Sequence, residues 1–178
     1  FELYCDMLND AVARLKGEET HDQHDVEIKW PISTFIPLPY IPVESQRVAV
    51  YKRLASMDMQ EDVADLRIEL KDRYGELPEG VQNLLEITQL RIIAAHLKIH
   101  VIDASGPMIR VQLLDEHDEN IFDHLRDAMK DIEKVSSVSS DKPKGFRVLV
   151  DTKSQDERVI QLRKYFTKLY ESIHKTAE

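Results

Sequence analysis

Apolar and polar positions along the chain change period several times, and each change marks an element. Leu8, Val12 and Leu15 recur at helical spacing with Leu3, Met7 and Ala11 beside them, which predicts a helix over residues 1–16. Gly17 is placed to end it as a C-cap residue, and residues 18–25 are polar enough to read as a loop. Glu27-Ile28-Lys29-Trp30 then opens an extended segment, followed by Pro31, Pro37, Pro39 and Pro42. Proline fixes φ and lacks a backbone donor, so this run is neither helix nor central strand. The pattern predicts an edge strand leading into an extended arm, Phe35-Ile36-Pro37-Leu38-Pro39-Tyr40-Ile41-Pro42, whose apolar residues need cover.

Three helices are expected next. Over residues 44–57, Val48, Tyr51, Leu54 and Ala55 share a face; over 60–74, Val63, Leu66 and Leu70 point inward, with Gly75 as the stop. The third starts near Pro78, a favoured first helical position, and runs to about Leu97 through Val81, Leu84, Leu85, Thr88, Ile92 and Ala95, widened by Leu90 and Ile93. After Lys98 the period shortens. Residues 99–104 and 108–114 read as strands joined by a turn at Ser105-Gly106-Pro107. A helix over residues 116–132 carries Ile121, Leu125, Ala128 and Ile132 inward. Strands over 135–139 and 146–151 follow, then a capping-box pattern, Ser154-Gln155-Asp156-Glu157, ahead of a last helix with Val159, Leu162, Phe166, Leu169 and Ile173 inward. The second half thus runs hairpin-helix-hairpin-helix, which an antiparallel sheet with helices on one face buries well. The class predicted is α+β: residues 1–25 a helix and loop leading from whatever precedes, 26–98 an extended arm and three helices, 99–178 an antiparallel sheet with two helices.

Composition narrows the functional classes. In 178 residues there are 33 acidic and 24 basic side chains, a net charge of -9, whereas a duplex-binding domain draws its affinity from neutralising phosphates with a basic surface. Strong direct DNA binding is not expected; a basic protein partner suits this charge better. A single cysteine, Cys5, rules out an internal disulfide and fits a reducing, cytoplasmic compartment. No apolar run approaches the length that spans a bilayer, and the first residues lack the pattern of a signal peptide.

Catalytic chemistry finds little footing. The glycines, at 17, 75, 80, 106 and 145, are too scattered for a phosphate-binding loop. Cys5 is alone on a terminal helix. His21 and His24 lie beside Asp22 and Asp25, and His96/His100 and His117/His124 are other spaced pairs, but surface histidines are the simpler reading of each, so no metal and no cofactor is expected. Carboxylates abound, yet a catalytic pair needs a cleft and separated pKa values, which a sequence does not display.

One segment stands apart: Glu69-Leu70-Lys71-Asp72-Arg73-Tyr74-Gly75-Glu76-Leu77-Pro78. Glu69 and Arg73 are four apart and can pair on one helix face, Asp72 points further round toward solvent, and Tyr74 and Leu77 flank the glycine. On spacing alone this is a surface ion pair before a C-cap glycine, worth about 0.3–0.5 kcal/mol. The same segment resembles the C-terminal domain of bacterial transcription-repair coupling factors, in which Glu-Leu-x-Asp-Arg-aromatic-Gly-x-Leu-Pro is characteristic. Pro39-Tyr40-Ile41-Pro42, Gln46-Arg47, Tyr51-Lys52-Arg53-Leu54, Leu84-Leu85 and Leu90-Arg91 extend the resemblance, and Phe1-Glu2-Leu3-Tyr4-Cys5-Asp6-Met7-Leu8 is similar to the helix leading from that family's motor module. It covers residues 1 to about 100 and is weak in the sheet half.

The resemblance implies a regulatory role. Family members are ATP-driven DNA translocases that displace stalled RNA polymerase and recruit nucleotide-excision repair. Their C-terminal domain covers the surface of an N-terminal UvrB-like module that would bind the excinuclease protein UvrA. By that resemblance Glu69, Asp72 and Arg73 are the contact residues, with no catalytic residue, metal or cofactor in the domain. Two other classes remain open: a generic protein adaptor using the proline-rich arm, for which exposed Phe35, Leu38 and Tyr40 would speak, and a small enzyme using carboxylates of the helical half, for which a cleft with a buried acid pair would speak.

Overall fold

The computed structural model of the chain describes residues 26–114, 124, 127, 128, 130, 135–140 and 145–175. The expected first helix, Gly17, Cys5, His21, His24, His117 and the 141–144 turn lie outside them. So does most of the expected 116–132 helix, of which His124, Asp127, Ala128 and Lys130 are helical and Ala128 is buried.

Backbone contacts divide the chain into two compact units, one holding Ser33–Ile92 and the other His24–Ile32 with Ile93–Glu178. The first contains helices α1 (Glu44–Ala55), α2 (Gln60–Tyr74) and most of α3 (Glu79–His96). The faces of α2 and α3 are largely those the spacing predicts: Val63, Leu66 and Leu70 on one, Val81, Leu84, Leu85, Thr88, Leu90 and Ile92 on the other are buried, whereas the expected Ala95 is only half-buried. α3 begins one residue later than expected, with the Pro78 carbonyl accepting from the amides of Val81 and Gln82 at 3.0 Å each. The face of α1 differs. Val50, Tyr51 and Leu54 pack on the core and Met57 beyond the helix is buried, while Ala55 is exposed. A methyl side chain gains little from burial, so the larger Val50 and Leu54 set the rotation of the helix.

The proline-spaced arm is split between inside and outside. Ile36, Tyr40 and Ile41 belong to the core of this unit, whereas Phe35 and Leu38 are exposed. Polar ties hold the arm and the residues leading into it, among them Arg47 Nη1, which donates to the Ile41 and Pro42 carbonyls at 2.6 and 3.0 Å. The Ile36 amide donates to the Tyr51 hydroxyl at 2.7 Å, the Tyr40 hydroxyl donates to the Leu70 carbonyl at 2.9 Å, and Asn83 Nδ2 donates to the Ser33 carbonyl at 3.2 Å. Gly80 is required where arm and α3 meet: a Cβ there would lie 2.7 Å from the Phe35 carbonyl oxygen.

The second unit is a five-stranded sheet, β1 (Glu27–Lys29), β2 (Ile99–Asp103), β3 (Ile109–Leu113), β4 (Val135–Ser140) and β5 (Gly145–Val150), in the order β1-β2-β3-β5-β4, with helix α4 (Gln155–Lys175). β2–β3, β3–β5 and β4–β5 are antiparallel, but β1 runs parallel to β2, with Glu27 opposite Val101. The strands of residues 99–178 are thus antiparallel as expected and β1 is the expected edge strand, but its parallel pairing with β2, which makes the sheet mixed, was not foreseen. Parallel neighbours need a long connection, and here all of Ser33–Ile92 intervenes in sequence, so no local pattern could reveal the pairing. Strand β3 alternates buried Ile109, Val111 and Leu113 with exposed Arg110 and Gln112, and Val159, Leu162, Tyr165, Phe166 and Leu169 of α4 are buried, Phe166 edge-on to Phe146 of β5 at 6.4 Å. At the start of α4 the Glu157 amide donates to Ser154 Oγ at 3.2 Å; the Glu157 carboxylate accepts from the Thr152 hydroxyl at 2.8 Å. Arg158, 4% exposed, donates to the carbonyls of Ala104, Gly106 and Pro107 and so binds the β2–β3 turn to this helix.

Candidate functional site: the exit of helix α2

Three side chains singled out by the sequence sit on the last turn and a half of α2, at the end of a helix with a firm stop. Gly75 takes φ +86° and ψ -158°, a conformation open essentially only to glycine, and its amide donates to the Lys71 carbonyl at 2.9 Å. Beneath the turn, Tyr40 supplies a second anchor: its hydroxyl reaches the carbonyls of Leu70 at 2.9 Å and Gly75 at 3.3 Å, and its ring lies 5.7 Å from that of Tyr74. Tyr74 in turn donates to Gln46 Oε1 at 3.2 Å. The helix end is thus tied from the arm and from α1, which limits how far its side chains can wander.

Glu69 and Arg73 pair as the spacing requires, Arg73 Nη1 to Glu69 Oε1 at 2.7 Å. A second cation, which periodicity did not supply, completes the group: Arg53 Nη1 of α1 donates to Glu69 Oε2 at 2.5 Å. Both carboxylate oxygens are therefore engaged by guanidinium groups. The Arg53 hydrogen bond first, then that of Arg73, hold the Glu69 carboxyl below its ordinary value, and the same bond raises the Arg73 guanidinium above its own. Arg73 also lies over the Tyr74 ring, 5.0 Å from its centroid, a cation–π arrangement that further fixes its plane. Asp72 is exposed and makes no hydrogen bond or ion pair with a described residue. Lys71 pairs with Glu76 at 2.9 Å beyond the turn.

The three predicted residues are brought to one helix end, and Arg53 is the member the sequence reading missed. Its only signal was membership of the Tyr51-Lys52-Arg53-Leu54 motif, which assigns it no role. Ile68, preceding Glu69 and 60% exposed, is an uncompensated apolar residue on the outer side of the same helix. The two guanidinium bonds that lower the Glu69 carboxyl act opposite to what would hold an acid protonated for proton donation. Among the described residues no three His, Cys, Asp or Glu side chains are grouped to hold a metal ion, and no helix is long and apolar enough to cross a membrane.

Two structural units, one helical and one a mixed sheet with a covering helix, define an α+β domain. A model of the TRCF domain family matches residues 30–123, which include the end of α2. Among curated proteins, the transcription-repair-coupling factor of Staphylococcus epidermidis is 32% identical over 123 residues, covering 68% of this chain and 10% of that protein. Those of Myxococcus xanthus and Haemophilus influenzae are 34% identical over 113 residues and 37% over 111, covering 64% and 58% of this chain and 9% and 10% of theirs. A crystal structure of the C-terminal domain of transcription-repair coupling factor superposes with a TM-score of 0.75 at 20% identity, over 85% of this chain and 96% of that one, a likeness that establishes the fold. The chain belongs to the TRCF domain family. It spans about a tenth of the length of the curated relatives it matches.

Proposed function

We propose that this chain is a regulatory contact domain of a transcription-repair coupling factor, with Glu69, Asp72 and Arg73 as its docking residues. In this reading it lies against a UvrB-like module in the N-terminal part of the same polypeptide and masks the surface that would receive the excinuclease protein UvrA. The parent protein would be an ATP-driven DNA translocase that removes stalled RNA polymerase, acting in the cytoplasm. No catalytic group, metal or cofactor is assigned to this chain.

The observation that carries the reading is the charge cluster at the end of α2, held from the arm and from α1. A mask must have defined geometry and yet come off. Charge-assisted hydrogen bonds between guanidinium and carboxylate supply the geometry, and their exposure to solvent keeps the contact weak and sensitive to salt. The net charge of -9 also suits a domain that must not hold DNA by itself. In the full-length protein, reversing Asp72 and Glu69 to arginine is expected to expose binding of UvrA; binding unchanged by both reversals would sink the proposal.

The adaptor reading draws support from Phe35 and Leu38, 51% and 61% exposed, but Tyr40, the third residue it needs, is 9% exposed and committed to the Leu70 and Gly75 carbonyls. The arm serves first as cover for the helical core.

A further inference from the structure

We propose that Arg53 is a positioning residue of the docking face, an internal competitor that occupies one oxygen of Glu69 and leaves Asp72 as the carboxylate a basic partner meets first. The inference rests on the docking reading above. Its ground is the ion balance at the end of α2. Glu69 Oε1 accepts from Arg73 at 2.7 Å and Oε2 from Arg53 at 2.5 Å, so two guanidiniums face one carboxylate and leave one positive charge. A guanidinium arriving from a partner would meet that positive charge before it could reach Glu69. Asp72, exposed and without an ion pair to any described residue, has no such guard. The two acids of the motif are therefore unequal, although the sequence presents them alike.

Arg53 differs from Arg73 in where it comes from. Arg73 shares a helix with Glu69, whereas Arg53 reaches it from α1, sixteen residues earlier in the chain. Its side chain is 46% exposed. An exposed pair of this kind contributes little to folding. The place of α1 is fixed separately by buried Leu54 and by the Tyr51 hydroxyl. Removing Arg53 should therefore leave the fold intact while freeing Oε2 and lowering the local charge by one. For a basic partner, the site would improve.

The test uses the chain with Arg53→Gln and Arg53→Ala, and Arg53→Lys as the conservative variant, titrated with the purified UvrB-like module of the parent protein. Circular dichroism checks that each variant is folded. Arg53→Gln and Arg53→Ala are expected to bind about two- to fivefold more tightly, the range set by one exposed ion pair, with Arg53→Lys close to the unaltered chain. Equal or weaker binding overturns the proposal, since a residue that only joined α1 to α2 would weaken docking when lost. A second measurement needs no partner: the Glu69 carboxyl, followed by carbon-13 NMR, should titrate at higher pH in Arg53→Gln than in the unaltered chain. An unmoved Glu69 titration also overturns it. Failure of the docking reading looks different. The unaltered chain would then show no binding, or binding indifferent to Asp72→Arg, and both proposals would fall together.

Discussion

Replacing Tyr40 by phenylalanine would remove one oxygen from the joint between the arm and the end of α2 and leave the ring in place. The hydroxyl donates to Leu70 at 2.9 Å and lies 3.3 Å from the Gly75 carbonyl, and Tyr40 is 9% exposed. One hydroxyl has one proton, so the two contacts count as a single shared bond, and its loss should cost about 1 kcal/mol. Tyr40→Ala also removes the ring from a core made with Leu70 and Tyr74, and should cost about 3–5 kcal/mol. Urea unfolding at neutral pH, followed by the helical circular dichroism signal, measures both. Alkali adds an independent check. Burial first, then the charges of Tyr74 and Glu76, raise the Tyr40 phenol above its ordinary value. The folded chain therefore holds that proton more tightly than the unfolded one. Its contribution is complete below about pH 10 and is lost as pH rises through the folded pKa. Tyr40→Phe should reduce this alkaline loss without abolishing it, because burial pushes Tyr165 upward as well. A Tyr40→Phe protein as stable as its parent at neutral pH, with an unchanged alkaline limb, would refute the reasoning.

Other expectations follow from single residues. Gly75→Ala meets no atom within 4 Å, so its cost, about 1–3 kcal/mol in urea unfolding, is the backbone conformation alone. Gly80→Ala instead drives a methyl into the Phe35 carbonyl, and should cost about 1–3 kcal/mol and loosen the arm, seen as faster hydrogen exchange at the Ile36 amide. Arg158→Lys keeps the charge but not the fork that serves three carbonyls of the β2–β3 turn, and a loss of about 2–3 kcal/mol is expected in the sheet unit by Trp30 fluorescence. Glu69→Gln should change neutral-pH stability by about 1 kcal/mol or less, because both of its ion pairs are solvent-exposed. Because its carboxyl is lowered, what Glu69 does contribute is present above the ordinary glutamate value and is lost as pH falls through the folded one, a shallow acid limb that Glu69→Gln should flatten.

What could be read from the sequence were faces and stops. The inward faces of α2 and α3, the glycine that ends α2 and the turn at Ser105-Gly106-Pro107 follow from residue type and spacing, which local physics sets. What could not be read were partners. The parallel neighbour of β1, the Arg53–Glu69 bond across 16 residues, the Tyr40–Leu70 bond across 30 and the Arg158–Ala104 bond across 54 depend on how elements cross, and periodicity carries no crossing geometry. The arm shows both limits at once. Its prolines announced an extended chain, but the division of Ile36, Tyr40 and Ile41 from Phe35 and Leu38 was decided by the shape of the helical core beneath it. The charged motif behaved likewise: spacing predicted the Glu69–Arg73 pair, and only the structure revealed that Glu69 is engaged twice while Asp72 faces solvent without a described partner.

These features give the regulatory reading a physical form. On the proposed reading, a helix end anchored by the arm and stopped by a glycine would present the motif, and the energy of each exposed ion contact would stay small enough for release. The most direct test of the central claim is the affinity between this chain and the purified UvrB-like module, measured calorimetrically over a series of salt concentrations. The account predicts a weak complex whose affinity falls steadily as salt rises and is lost on Asp72→Arg. A complex insensitive both to salt and to Asp72→Arg, or no complex at low salt, would contradict it.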